Sequence, residues 1–569
     1  MNSKSKYHRQ QPIRDFSEHQ TMYDLVMNLN ADNMDSPYAL YFGKTHTFSQ
    51  LKQKTDALAA ALYHDGIRKN SIVGVCLLTV PEVDIVLLAV NKIGAISFWL
   101  DGSLKPTDML HYLEARQLTT LIVHEALLPS IAQIAPHLQL ERIIVVPADK
   151  AMGLPDILHS VSDPRLISMP EYIQGDFSEE LISAAYEEGK PSVIVQSSGS
   201  TGMPKSIVHT DYNFNAAIKK MAYCDLPFYK GERALVCAPP WIIYGLVNSI
   251  YSGLVFGCVT VFTTLPAEDM IYQHLGQFDF VYGVPVYIRY LYNKMQELAT
   301  AENEAQGELE KIRAILRKVS VFISGGDKIA ENELISWQLE LEVPIINGYG
   351  NNEITGAAVV SPRFSNRPGS IGISMFGNIA KTFDPDSGQM LSDGEIGELY
   401  IGGDTVFYEY LEDPISTQKI KIVYDGIEWV RTGDLAYIDP DGYIFLKGRT
   451  RRLIIDKLGY KISPDNCENY IQSFPFVREC VVVGVQRAEN DTVPMAFIEF
   501  EAQEMDKETA LENIKAGCQK KLKDYECPKF FEVIEKIPHK ENGGKQDFLT
   551  LEKMAKDIVK KTNSELSGL

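Results

Sequence analysis

Short apolar runs alternate with longer amphipathic stretches through most of the chain. SIVGVCLL (71–78), TLIVH (120–124), RIIVV (142–146), SVIVQ (192–196), ALVCA (234–238), VTVF (259–262), FVYGV (280–284) and VSVFIS (319–324) predict buried strands. Phe48 to Gly66 spaces its apolar residues as an amphipathic helix does. This alternation predicts an α/β fold: mainly parallel sheets with helices on their faces. The texture changes near Gly394. LSDGEIGELYIGG (391–403) and YIDPDGYIFLKGR (437–449) predict hairpins around Asp-Gly turns, hence a β-barrel-like part. ECVVVGVQ (479–486), PMAFIEFE (494–501) and a Lys-rich helix from about Lys507 to Leu522 then predict a small α+β domain. The expected division is a large N-terminal domain, 1–448, and a C-terminal domain, 452–569, joined at 449–452.

The chain has 569 residues, 45% apolar and 23% charged, enough for more than one domain and a large core. Its net charge of −20 argues against a nucleic-acid or membrane surface as the main partner. Residues 448–569 carry 20 basic and 21 acidic side chains, so nearly all of that charge precedes them. Eight scattered cysteines form no CxxC or zinc-like spacing, and a reduced cytoplasmic compartment is expected. The polar N-terminus has no apolar core of a secretory signal. One charge-free run, Ala234 to Ala267, is interrupted by prolines and glycines. It predicts a buried strand–helix–strand rather than a membrane span.

QSSGSTGMPKS (196–206) has the composition of a phosphate cradle. It is no Walker A loop, because Pro204 stands where that loop needs glycine. Four further stretches give it a context: SGGDKI (324–329), NGYGNNE (347–353), WVRTGDL (429–435) with LKGRTRRLIIDKLGYKI (446–462), and IPHKENGGKQDF (537–548). In this order the five resemble the adenylate-forming superfamily of acyl-CoA synthetases, nonribosomal-peptide adenylation domains and luciferases. The resemblance covers roughly residues 20 to 555. It implies that a carboxylate attacks the α-phosphate of ATP, expelling pyrophosphate, and that a thiol then displaces AMP after the C-terminal domain rotates.

The resemblance also implies roles. Ser197, Ser198, Gly199, Ser200, Thr201, Gly202 and Lys205 match the phosphate loop, in which proline before lysine is expected. Gly325, Gly326 and Asp327 match the adenine-side loop, and Tyr349 matches the residue stacked on adenine. Asp327 stands where the family has glutamate or alanine. Glu353 matches the Mg²⁺ carboxylate. Asn352 replaces the usual threonine, and its amide retains a donor for a phosphate oxygen. Asp434 and Arg449 match the ribose-binding pair, Arg451 the hinge, and Lys545 the lysine that bridges carboxylate and phosphate. Two glycines, Gly543 and Gly544, precede that lysine where the family has one. The hinge segment, one residue longer than the common form, resembles the branch with a basic hinge.

The acyl pocket is expected along WIIYGLVNSI (241–250), which has no charge. A buried ammonium would lack a partner there, so an α-amino acid is disfavoured. The pattern resembles the benzoate–CoA ligase branch, and Trp241, Tyr244 and Gly245 are expected to form a flat slot for an aryl acid. Apolar walls also admit a medium-chain fatty acid. The expected reaction partners are ATP, Mg²⁺, a small carboxylic acid, and coenzyme A or the phosphopantetheine of a carrier protein. A non-catalytic scaffold and a Walker-type ATPase are the competing readings. Lys545, Glu353 and Asp434 weigh against the first, and Pro204 against the second.

Overall fold

The computed structural model describes residues 16–567, apart from 117, 155–156, 176–182, 197–204, 225, 264–266, 302–303, 328, 364, 456–460, 489–490, 502–505 and 540–545. The chain packs as two compact units, residues 1–380 with 401–431, and 381–400 with 432–569.

The first unit is built on two large sheets. In one, Ile345–Asn351, Val321–Gly325, Phe280–Gly283, Arg233–Val236, Val259–Phe262 and Pro37–Tyr41 lie side by side and parallel, with antiparallel strands at both margins. In the other, Pro191–Gln196, Ile96–Trp99, Ile72–Cys76, Thr120–His124, Arg142–Val146 and Leu166–Ser168 are parallel. Ser206–Thr210 and Glu409–Tyr410 close its margin antiparallel. Eight of the twelve parallel strands fall on the short apolar runs of the sequence and are buried almost throughout, as parallel strands covered on both faces are; Pro37–Tyr41, Ile96–Trp99, Leu166–Ser168 and Ile345–Asn351 were not among those runs. Phe48–His64 is a helix opened by a Thr47/Gln50 capping box. The charge-free run folds as strand, helix, strand: Arg233–Val236, Tyr244–Phe256 and Val259–Phe262. Among the described residues no helix is long and apolar enough to cross a membrane.

A five-stranded sheet follows. Its hairpin from Ile427–Ile438 to Ile444–Arg449 forms as expected, closed by Asp439, whose Oδ1 accepts the backbone N–H groups of Asp441 (3.0 Å) and Tyr443 (2.8 Å). The hairpin expected over 391–403 does not form around Asp393-Gly394. Phe383 pairs with Met390 instead, and the turn lies between them. The Asp384 carboxylate takes the N–H groups of Asp386 (3.1 Å) and Ser387 (2.7 Å) and so fixes that turn.

In the second unit, Val477–Ala488 pairs antiparallel with Asp491–Phe500, and Phe530–Val533 adds parallel to the latter. Side chains alternate across this small sheet. Cys480 and Val482 pack with Ile471 and Ile514 from the helices Pro464–Gln472 and Lys507–Lys521. Val481, Val483 and Val485 pack with Leu551, Ala555 and Val559 from the helix Phe548–Ser567. Both faces are covered, so the sheet has a core of its own.

Candidate active site

Three of the motifs lie where parallel strands end. SGGD leaves the carboxyl end of Val321–Gly325, and the GYG of the next motif ends Ile345–Asn351. These strands are neighbours, with Ser324 opposite Asn347 and Gly325 opposite Gly348. The phosphate-loop segment begins at Gln196, the carboxyl end of Pro191–Gln196. Ligands in α/β folds bind at this edge because loops there are free to take up their shape.

Asn352 ties the two sheets together at the edge. Its Nδ2 donates to the carbonyl of Gln196 (2.9 Å), and its Oδ1 accepts the N–H of Ile243 (3.2 Å). Part of its hydrogen-bonding capacity is therefore spent on the protein, beyond the phosphate role expected for it. Asn352 to Ile354 form a short 3₁₀ turn, with Asn351 Oδ1 accepting the N–H of Ile354. Glu353 sits half-buried in this turn. The segment 407–410 grips it twice: the Phe407 N–H donates to its carbonyl (2.9 Å) and the Tyr410 hydroxyl to Oε1 (2.8 Å).

Lys205, the first described residue after 197–204, extends its ammonium over the Tyr410 ring, 4.6 Å from the centroid. Tyr410 pairs with Ile207 across the strand margin, which brings it beside Lys205. Sequence reasoning missed Tyr410, because its FYEY setting carries no motif and its partners are some 60 and 200 residues away. His209 was missed too. Its Nδ1 lies 3.1 Å from Thr355 Oγ1, and that hydroxyl donates to the Thr405 carbonyl (2.8 Å). Thr355 therefore accepts from Nδ1–H, and burial pushes the imidazole down to about 3. The ring is a neutral brace under the turn.

The acid-side stretch is irregular in a telling way. Tyr244 to Tyr251 form a π-helix, a wide turn that is rare and often found at functional sites. The Ser249 hydroxyl donates to the Tyr244 carbonyl five residues back (3.0 Å). Tyr244 lies across the ends of two strands, its hydroxyl 3.0 Å from the Gly283 carbonyl and 3.1 Å from that of Ile323. A Cβ on Gly325 would come within 3.1 Å of the Tyr244 ring, so the glycine expected on the adenine side and the tyrosine expected on the acid side touch. Trp241 is half-buried and reaches toward Gly102. Gly245 is required by close approach: a Cβ there would stand 2.0 Å from the Pro239 carbonyl oxygen. Gly245→Ala is expected to destabilise the first unit by at least about 1–3 kcal/mol through overpacking. The midpoint of urea unfolding measures this, and an unchanged midpoint contradicts it.

Asp434, Arg449, Arg451 and Lys545 belong to the second unit, and the structure pairs the first two directly. Asp434 and Arg449 stand opposite on adjacent strands, and Arg449 Nε lies 3.1 Å from Asp434 Oδ1. Asp434 is buried and Arg449 exposed, so the guanidinium orients the carboxylate from the solvent side. Arg451 lies in the short 3₁₀ turn Thr450–Arg452. Gly326 and Asp327 are exposed and Tyr349 is half-buried at the strand end. Ser197, Ser198, Gly199, Ser200, Thr201, Gly202 and Lys545 lie outside the described residues. Among the described residues no cluster of three or more His, Cys, Asp or Glu could hold a metal. Glu353 supplies one oriented carboxylate, which fits Mg²⁺, an ion that commonly takes one or two protein carboxylates and completes its shell with substrate phosphates.

Comparison with known families decides what this edge belongs to. The profile described as AMP-binding enzyme matches residues 29–411, and that of the AMP-binding enzyme C-terminal domain matches 466–544. The chain belongs to the AMP-binding enzyme family. The "Putative acyl--CoA ligase YdaB" of Bacillus subtilis (strain 168) is 27% identical over 506 residues, covering 88% of this chain and 92% of that protein. Among solved structures, the anthranilate CoA ligase AuaEII in complex with anthranoyl-AMP superposes with a TM-score of 0.79. It is 22% identical and covers 95% of this chain and 98% of its own. A benzoate CoA ligase from Burkholderia xenovorans LB400 gives 0.77, at 21% identity over 94% and 99%. Both likenesses show that this AMP-binding enzyme has the α/β fold of those ligases.

Proposed function

We propose that this enzyme is an acid–thiol ligase that activates a small aryl carboxylic acid. ATP and the acid give acyl-AMP and pyrophosphate, and the thiol of coenzyme A then displaces AMP. The carrying observation for the acid is the stretch 241–250. It is charge-free, folded as a π-helix, and set against the adenine-side glycine through the Tyr244 ring. A planar ring gains area burial there, plus roughly 0.5–1.5 kcal/mol for each well-oriented aromatic pair. Likeness in fold to ligases described for anthranilate and benzoate supports the same reading.

The roles proposed for the chain's residues follow. Lys205 and the hydroxyl-rich loop before it hold the β- and γ-phosphates by charge and N–H donors. Tyr349, Gly325, Gly326 and Asp327 hold adenine, and Asp434 and Arg449 the ribose. Glu353, oriented by Tyr410, would hold Mg²⁺, which neutralises phosphate charge when bound. Lys545 bridges the acid carboxylate and the phosphate during adenylation, and the C-terminal domain then turns about 449–452. All eight cysteines are free thiols, which suits a reducing cytoplasm.

The test is kcat/KM for substituted benzoates, hexanoate to decanoate, and standard amino acids at one ATP concentration. An aryl acid is expected to lead. Amino acids should trail by orders of magnitude, since an unpaired buried ammonium costs several kcal/mol. A fatty acid or amino acid ahead of every aryl acid overturns the aryl reading and leaves adenylation standing. Replacing coenzyme A by a phosphopantetheinyl carrier protein in the same assay distinguishes the acceptors.

A further inference from the structure

The segment 540–545 carries Lys545, and what holds its two ends is described. His539 and Gln546 face each other as an isolated antiparallel bridge. One residue further out, the Asp547 N–H donates to the Pro538 carbonyl (2.8 Å). Between the two stems lies a single carboxylate, Glu479, from the strand Val477–Ala488. Its Oε1 accepts from Gln546 Nε2 at 2.8 Å and lies 3.2 Å from His539 Nε2. The other imidazole nitrogen, Nδ1, is 2.8 Å from the Ile537 carbonyl. One oxygen thus touches the residue before the segment and the residue after it.

Both stems are anchored further out by other groups. The Ile537 N–H donates to the buried carboxylate of Glu499 (2.7 Å), itself paired with Arg478 (3.3 Å). On the far side, Asp547 Oδ2 accepts from the Thr550 hydroxyl (2.6 Å) at the start of the helix Phe548–Ser567. The Arg452 guanidinium lies 4.4 Å over the Phe548 ring. The outer anchors hold each stem to the domain core, and Glu479 holds the stems to each other. Lys545 belongs to the segment between these two stems and lies outside the described residues.

We propose that Glu479 is a positioning residue for adenylation: its carboxylate clamps His539 and Gln546 to each other, and so fixes the two ends of the segment that carries Lys545. The inference rests on the reading of Lys545 given under Proposed function. Glu479 touches no reacting atom in this scheme. Its effect is on the half-reaction that uses Lys545 and not on the one that does not.

The test measures the two half-reactions separately, in the full chain with ATP, benzoate and coenzyme A. Pyrophosphate exchange reads adenylation, and thioester formation from presynthesised benzoyl-AMP reads transfer. Glu479→Gln is expected to lower the exchange rate by about ten- to hundredfold, the range for a displaced positioning group. Transfer and the KM for ATP should stay within about twofold. Gln546→Leu removes one arm at a partly exposed site, so it tests the clamp without relying on the fold tolerating a change at Glu479. It is expected to shift the same half-reaction by a smaller factor. Unchanged exchange in either variant, or an equal fall in both half-reactions with a lowered melting temperature, overturns the proposal. Lys545→Ala runs alongside. If it retains exchange, the reading of Lys545 fails and the clamp's role fails with it. If it loses exchange while Glu479→Gln does not, only the clamp is removed.

Discussion

Lys545→Ala is expected to lose acyl-AMP formation while still converting presynthesised acyl-AMP to thioester. The attacking carboxylate and the α-phosphate are both anionic, and their approach is opposed by charge until a cation stands between them. A single preorganised cation in a water-poor site contributes on the order of 10²–10³ in rate. Thioester formation has a different need, a thiol attacking a carbonyl with AMP as leaving group, and the lysine has no part in it. The prediction is therefore a split: pyrophosphate exchange falls by that factor and transfer holds. Near wild-type exchange removes Lys545 from the scheme. Lys545→Arg should recover little, because a broad planar guanidinium does not occupy the position of a compact ammonium.

Arg451→Pro is expected to give the opposite split. Arg451 lies in the 3₁₀ turn Thr450–Arg452, with the Leu453 N–H reaching back to the Thr450 carbonyl (3.4 Å). Proline fixes φ near its helical value, which suits an early position of a helical turn and forbids a large change of φ. If the C-terminal domain turns about residue 451, the variant holds the orientation it starts from. Adenylation then continues and transfer falls by about 10²-fold or more, because the acceptor is not brought into line. Equal loss of both half-reactions indicates a misfolded C-terminal domain instead. Arg451→Gly, which frees φ, should leave both half-reactions within about tenfold of wild type.

Much of the fold was legible because a parallel sheet leaves a simple record. TLIVH and RIIVV are strands over the residues the pattern marks, since a strand buried on both faces must be apolar throughout. The hairpin after Asp439 was legible for a local reason, a side chain that captures its own turn. The π-helix at 244–251 was not, because periodicity marks only that an apolar stretch is buried. The hairpin near 391 was misplaced because two turn-forming aspartates compete within ten residues, and Asp384 holds the tighter set of hydrogen bonds. At the site, the ordered motifs pointed to Glu353 and Lys205. They could not point to Tyr410, which reaches both only through the strand pairing of Tyr410 with Ile207.

The two-sided amide of Asn352 has a thermodynamic consequence. One side holds the strand end that feeds the phosphate loop, and the other holds the backbone just before Tyr244. If nucleotide and acid bind at these two ends, as proposed, the amide touches both sites and the two are linked ligands. Whatever factor ATP lends to the affinity for the acid, the acid must lend to the affinity for ATP, because the coupling free energy is one quantity counted from either side. Asn352→Ala is expected to reduce the part of that coupling carried through the amide, read as a smaller effect of ATP on the dissociation constant of the acid.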